Sequence, residues 1–291
     1  MSSLSKIVVI GATGSLGRPV IQELIRAGFF VRAIVRDSSK AKSLLPEPIE
    51  IIKGDLQEIA SLERAFKGMD AVYLNLNTPS YKASFYPEKD GTKNVIEAAR
   101  LTNLQHISKI SGLGVRKVKK TKWWQHHHKF EAEKAIIKSG FPYTIFQPTF
   151  FMETLPTLIR GKNLTLIGNP ANTFYWIAGE DYGKQVVAAL KSKQAQGKSY
   201  AIQGLEPLTM KEAALRFVEA YNPILKVNSI PLTLVKMLGL FSAQMQFVGE
   251  AIDVLSKTKD EFVSQETWSD LGKPQMKIED FAQSIRLSRD L

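Results

Sequence analysis

The sequence predicts an α/β fold built on a doubly wound parallel sheet, with a smaller mixed lobe toward the C-terminus. Three observations predict it. Short apolar runs alternate with helical segments as far as Pro148; a glycine-rich turn stands between the first run and the first helix; and beyond Pro148 the rhythm breaks into shorter elements rich in Phe and Met and punctuated by proline.

The strands are expected at residues 7–10, 31–35, 49–52, 71–76, 106–110 and 143–146, each short and mostly apolar, as parallel strands covered on both faces must be. Helices are expected at 18–27, stopping at Gly28; at 62–66, capped by Ser61; and at 130–138, stopping before Gly140. The stretch 182–202 is expected to return to the main sheet. The main domain therefore takes residues 1–152 and about 178–204, and the smaller cap lobe takes 153–177 and 205–291. The apolar stretch 230–252 is interrupted by Lys236, Gln244, Gln246 and Glu250, so it reads as one buried or groove-lining helix rather than a membrane span.

Composition closes some chemistries. The chain has no cysteine, which excludes disulfides, thiolate zinc sites and a cysteine nucleophile. Its net charge of +11 raises the question of nucleic acid or an anionic ligand. The densest basic run, Arg116, Lys117, Lys119, Lys120 and Lys122, precedes Trp123 and Trp124 and superficially joins phosphate contacts to stacking rings. No nucleic-acid fold surrounds it, so a solvated loop before a helix is the preferred reading. The first six residues carry no export pattern, and a cytoplasmic location is expected by default.

The sharpest signal is Gly11-Ala12-Thr13-Gly14-Ser15-Leu16-Gly17, directly after the first strand and before the first helix. Gly11 permits the tight turn, Gly14 lets backbone approach a pyrophosphate, and Gly17 lets the helix pack close to the strand. The amides of Thr13, Ser15 and Leu16 are then placed to hold the phosphates. This is a Rossmann dinucleotide site. At the end of the second strand stands Arg36, able to pair bidentately with a 2′-phosphate, with Asp37 behind it; NADP(H) is expected over NAD(H). Asp55 and Leu56, after the third strand, border either the adenine or a plain turn before a helix, and Asn75 or Asn77, after the fourth, lines the nicotinamide half or a turn.

Together with Ser108-Lys109-Ile110-Ser111-Gly112, the Lys129-x-x-x-Glu133 run, residues 143–153 and residues 177–183, these motifs resemble the NmrA-like, atypical branch of the short-chain dehydrogenase/reductase superfamily over most of the chain. The chain has Gln147 where the family usually has Arg before this proline. The resemblance implies a Rossmann domain with a small C-terminal lobe, an NADP(H) preference, and one of two roles: a reductase of quinones, dyes or conjugated compounds, or a redox sensor that partners a regulatory protein.

Short-chain reductases generally use Tyr-x-x-x-Lys. With Lys129 aligned as that lysine, Gln125 stands where the tyrosine belongs and cannot serve as an acid. A substrate that mainly needs a positioned hydride, such as a quinone, dye or conjugated alkene, suits such a site. Its proton can come from water, Lys129 or a histidine, His126 or His128. Lys129 is read as orienting the ribose, relaying a proton or ending in solvent; Ser111 as bonding cofactor or substrate, or as capping a strand end. Three successive histidines, His126 to His128, point in different directions, and metal binding is not expected. Thr149, Phe150 and Phe151 are positioned like the family's nicotinamide-facing segment. Phe150, Phe151, Trp176, Met237, Phe241 and Met245 line an apolar substrate pocket or belong to the core. The expected partner is a small molecule, with a regulatory protein if the sensor reading holds.

Overall fold

The computed structural model describes residues 4–78, 80, 82–120 and 123–290; Pro79 and Lys122 lie outside the described residues, as does the side chain of Lys120. The chain divides into two compact units. The first takes Met1–Pro148, Tyr182–Ile202 and Glu266–Gly272; the second takes Thr149–Asp181, Gln203–Gln265 and Lys273–Leu291.

In the first unit the order is β1 (Lys6–Ile10), α1 (Gly17–Arg26), β2 (Phe30–Val35), α2 (Ser38–Lys42), β3 (Glu50–Lys53), α3 (Ile59–Phe66) and β4 (Ala71–Leu74). A π-helical turn (Pro87–Gly91) then runs into α4 (Thr92–Arg100), followed by β5 (His106–Ile110), a 3-10 stretch (Leu113–Lys120), α5 (Trp124–Lys138) and β6 (Tyr143–Pro148). The chain crosses the second unit through β7 (Phe150–Phe151), α6 (Thr154–Thr157), β8 (Ile159–Arg160), β9 (Asn163–Ile167) and β10 (Thr173–Ile177), and α7 (Gly179–Lys191) returns it to β11 (Lys198–Ile202). The remainder is β12 (Pro207–Thr209), α8 (Met210–Tyr221), β13 (Lys226–Ile230), α9 (Leu232–Leu238), α10 (Ala243–Lys257), α11 (Gln265–Leu271) and α12 (Ile278–Asp290).

The main sheet has seven strands in the order β11-β6-β5-β4-β1-β2-β3, all parallel. It is a doubly wound Rossmann sheet. Its strands are apolar because both faces are covered: Ile7, Val8, Val9, Val72, Tyr73 and Leu74 are fully buried. Chain order reverses between β1 and β4, which opens a crevice at the carboxyl ends of those strands, where such sheets bind ligands. In the second unit, two three-stranded sheets, β12-β10-β7 and β13-β9-β8, accompany a core of Phe174, Trp176, Phe217 and Phe281, and α12 packs on α8.

Three local expectations change. Ser61 lies inside α3 instead of capping it; its hydroxyl accepts from the Asp55 amide and donates to the Asp55 carbonyl, fastening the turn that precedes the helix. Helix α5 begins at Trp124 rather than 130, because tertiary contacts, not an apolar period, define its first two turns. The 230–252 stretch is the end of a strand followed by two helices broken at 239–242, and Leu234, Met237, Leu238, Leu240 and Phe241 are exposed. Among the described residues no helix is long and apolar enough to cross a membrane.

Candidate cofactor-binding site

The 11–17 turn admits only glycine at its two packed positions. Gly11 has φ +80°, and a Cβ there would stand 1.9 Å from the Asn75 carbonyl oxygen; at Gly17 one would stand 2.3 Å from the Gly11 carbonyl oxygen. The Gly14 amide closes the turn onto the Gly11 oxygen at 3.2 Å, and Arg18 N–H donates to the Gly14 oxygen. Among the described residues the amides of Ser15, Leu16 and Gly17 take no backbone acceptor, and no side chain caps α1. The first turn of α1 holds no acidic residue and includes Arg18. Bare donors and the positive end of the helix dipole thus meet at one exposed place, and that donor set fits a diphosphate. Thr13 lies half-buried in the same turn.

At the end of β2 the two side chains divide their roles. Asp37 caps α2, its Oδ1 accepting from the Lys40 amide at 3.0 Å. Exposed Arg36 makes no hydrogen bond or ion pair among the described residues. After β3, Asp55 Oδ1 accepts from the Gln57 amide at 2.9 Å, which gives this carboxylate a turn-forming role. Leu56 packs over Gly91, where a Cβ would meet its Cδ2 at 2.2 Å. After β4, Asn75 donates its side-chain amide to the Gly11 oxygen at 3.0 Å, locking the glycine turn to the neighbouring strand. Asn77 is exposed, in loose 3.4 Å contact with Gln125.

Helix α5 and β5 supply the polar interior. Gln125 is buried, and its amide donates to the Thr78 carbonyl at 2.9 Å. One turn on, Lys129 Nζ pairs with Glu88 Oε1 at 2.5 Å. Lys109, 0% exposed in β5, pairs with the other Glu88 oxygen and donates to the Ile110 carbonyl. Burial pushes the Glu88 carboxyl up, but Lys109 and Lys129 outweigh it and hold the group below the ordinary carboxylate range. Another turn along, buried Glu133 accepts from Gln147 Nε2 through both oxygens; burial raises its carboxyl, partly offset by nearby Ser111 and Gln147. Ser111 is buried at the end of β5, its amide bonded to the Phe146 oxygen at 2.7 Å.

The His126 ring lies on Gly114, where a Cβ would stand 2.2 Å from its Cε1, and edge-on to Trp123. Burial, with the charges of Lys129 and His127, pushes His126 down to about 4, so the ring is neutral at pH 7 instead of exchanging its proton there. His128 sits edge-on to both Tyr86 and Trp124, and His127 is exposed. No group of three metal-capable side chains gathers among the described residues.

The remaining candidates fall in the second unit. The Thr149 hydroxyl donates to Asp260 at 2.5 Å. Phe150 and Phe151 are half-buried in β7, Phe150 against Phe174 and Trp176. Trp176 is a core ring, 1% exposed, with Nε1 bonded to the Leu208 carbonyl. Met237 and Phe241 project into solvent, Phe241 at 91% exposure.

A family pattern described as NAD(P)H-binding matches residues 11–193, well over half the chain, and starts on the glycine turn. The chain belongs to that NAD(P)H-binding family. Its doubly wound sheet and its motifs fit the resemblance to the NmrA-like, atypical short-chain dehydrogenase/reductase branch. A (4-alkanoyl-5-oxo-2,5-dihydrofuran-3-yl)methyl phosphate reductase of Streptomyces griseus subsp. griseus is 30% identical over 71% of this chain and 70% of its own length. Photosystem II assembly factor Ycf39 of Trieres chinensis is 27% identical over 80% of this chain and 74% of its own. The NADPH-dependent quinone oxidoreductase QOR2 of Escherichia coli has the same fold, with TM-score 0.75 and 21% identity over 96% of this chain and 99% of that one.

For a member of the NAD(P)H-binding family, the part of this site that sequence reasoning missed is the Glu88–Lys109 pair. Lys109 carried a signal: a lysine inside a strand buried on both faces requires a buried counter-charge. Glu88 carried none, since its loop has no period and only the π-helical turn brings it beneath β5.

Proposed function

We propose that the protein is an NADPH-dependent reductase of an electrophilic, conjugated small molecule, quinone-like or aromatic. The division of roles at the end of β2 carries the reading: Asp37, the carboxylate that would favour a ribose hydroxyl, is committed to its helix, and Arg36 is left to grip a 2′-phosphate. Bound NADPH supplies a hydride, and a proton completes the two-electron reduction. The chain's own residues bind and orient: the α1 amides take the diphosphate, and Asn75 holds the glycine turn rigid. Gln125 supplies no acidic proton. Lys129, its ammonium held by Glu88 and partly exposed, is the cation assigned to a developing negative charge, while the proton itself arrives from water or from that ammonium. A substrate whose conjugation spreads the charge suits this arrangement better than a simple ketone. The reductase relative from Streptomyces supports that class.

NADPH should bind at least about tenfold more tightly than NADH, and Arg36→Glu should remove that preference, a loss of about 1.5–3 kcal/mol. Calorimetry measures the affinities, and NADPH oxidation with a panel of quinones measures turnover. Equal affinity for the two nucleotides would sink the NADPH assignment. A second reading, a cofactor-responsive binding protein without turnover, is favoured by the inward bonding of both Gln125 and Lys129 and by the assembly-factor relative. Tight NADPH binding with no oxidation across the panel would select it.

A further inference from the structure

A cavity lies on the first unit, against the 3-10 stretch after β5. Its volume is about 440 Å3, within the range of small-molecule sites. Val115, Val118 and Phe130 make its apolar wall, Glu133 and Gln147 its polar base, and Arg116, Lys117 and Lys119 its rim. The glycine turn follows β1, which β4 and β5 separate from the Gln147 strand β6. At strand spacing that is roughly 14 Å, so the cavity is not the diphosphate cradle.

The rim is organised rather than merely basic. Arg116 Nε donates to Gln147 Oε1 at 2.6 Å, and one of its terminal nitrogens donates to the Ser199 carbonyl at 3.1 Å, fixing the plane of the guanidinium. Gln147 passes the restraint on through its amide, which donates to both Glu133 oxygens at 3.0 Å. A fork held in this way loses little freedom when it meets a carboxylate, and two lysines beside it leave the rim strongly positive. Glu266 acts on Arg116 from outside the lining, and the one acidic lining group, Glu133, lies at the buried base one side chain away from Arg116, where burial raises its carboxyl. The base can therefore take a hydroxyl, while the wall beside Phe130 takes a flat apolar body.

We propose that this cavity binds a small planar organic anion, its acid group on Arg116, Lys117 and Lys119, its ring beside Phe130, and a hydroxyl at its other end on Glu133 and Gln147. The site stands apart from the reductase reading and does not need bound nucleotide. It also gives Arg116, Lys117 and Lys119 of the basic run after β5 a role without recourse to nucleic acid.

The test is calorimetric titration of the full chain with 4-hydroxybenzoate and, separately, with its neutral methyl ester. The expected result is saturable binding of the acid, weaker by about tenfold or more for the ester and for Arg116→Gln. Because Arg116 also braces Gln147 and Ser199, Lys117→Glu with Lys119→Glu provides a second variant at exposed positions; it should weaken the acid to a similar degree. Equal affinity for acid and ester, or binding of the acid unchanged in the lysine variant, would overturn the proposal. So would no binding of the acid by protein that binds NADPH normally. Binding of the acid by protein with no NADPH affinity would support this site and refute the cofactor reading alone.

Discussion

Glu88 joins three elements through one carboxylate: the π-helical turn that bears it, Lys109 in β5 and Lys129 in α5. Removing its charge by Glu88→Gln leaves the ammonium of Lys109 in the interior without its hydrogen-bonded counter-ion, with Glu133 acting only through space, which should cost about 3–5 kcal/mol in urea unfolding. Adding Lys109→Met should recover much of that loss, since it removes the orphaned charge. A stable single variant would show that Glu88 does not neutralise Lys109. The pH dependence has a definite sign. The folded carboxyl is held below its ordinary 4.5, so its contribution is present above that value and fades as pH falls through the lower folded value. Residue-scale legibility follows the same physics. Gly11 and Gly17 could be read because a packed turn leaves few residue types possible, whereas Glu88 and the Arg116–Gln147–Glu133 chain depend on distant partners that no local pattern encodes.

At the scale of elements, the strands were legible because a parallel strand buried on both faces must be an unbroken apolar run. The helix beginnings were less so: α5 starts among Trp and His residues that contact other segments, and the 230–252 stretch has an apolar density that conceals the break at 239–242. Helix α7 shows an end condition that sequence does not advertise. Glu153 Oε1 accepts from the Gly179 amide at 2.7 Å, while Oε2 is buried without a hydrogen-bond partner among the described residues. Burial pushes this carboxyl up to about 7, offset in part by backbone bonds. Its folded value is above its unfolded one, so its stabilisation is complete below about 4.5 and is lost as pH rises through about 7. Glu153→Gln should flatten the fall in unfolding midpoint between those values relative to the parent protein. Parallel curves for the two proteins would mean that Glu153 does not titrate in this range.

At the scale of the molecule, the Rossmann unit is assembled from three separate stretches of chain, and its last piece arrives near the C-terminus. In that piece the Thr267 hydroxyl donates to the Ala201 carbonyl, and Asp270 accepts from both Lys198 and Tyr200, so α11 fastens the outermost strand β11. An N-terminal fragment therefore lacks the last piece of the cofactor-binding unit. NADPH at a hundred times its dissociation constant should stabilise the full chain by about 2.7 kcal/mol, through preferential binding to the folded state. A chain ended at Ser264 loses all of α11 together with α12, which packs on α8, leaves β11 unfastened and should show a lower unfolding midpoint and a smaller NADPH-induced rise. Thermal unfolding with and without NADPH measures both quantities. An unchanged midpoint with a full NADPH response in the shortened chain would mean that the sheet closes its own edge at β11, and the contacts of α11 would then be incidental to cofactor binding.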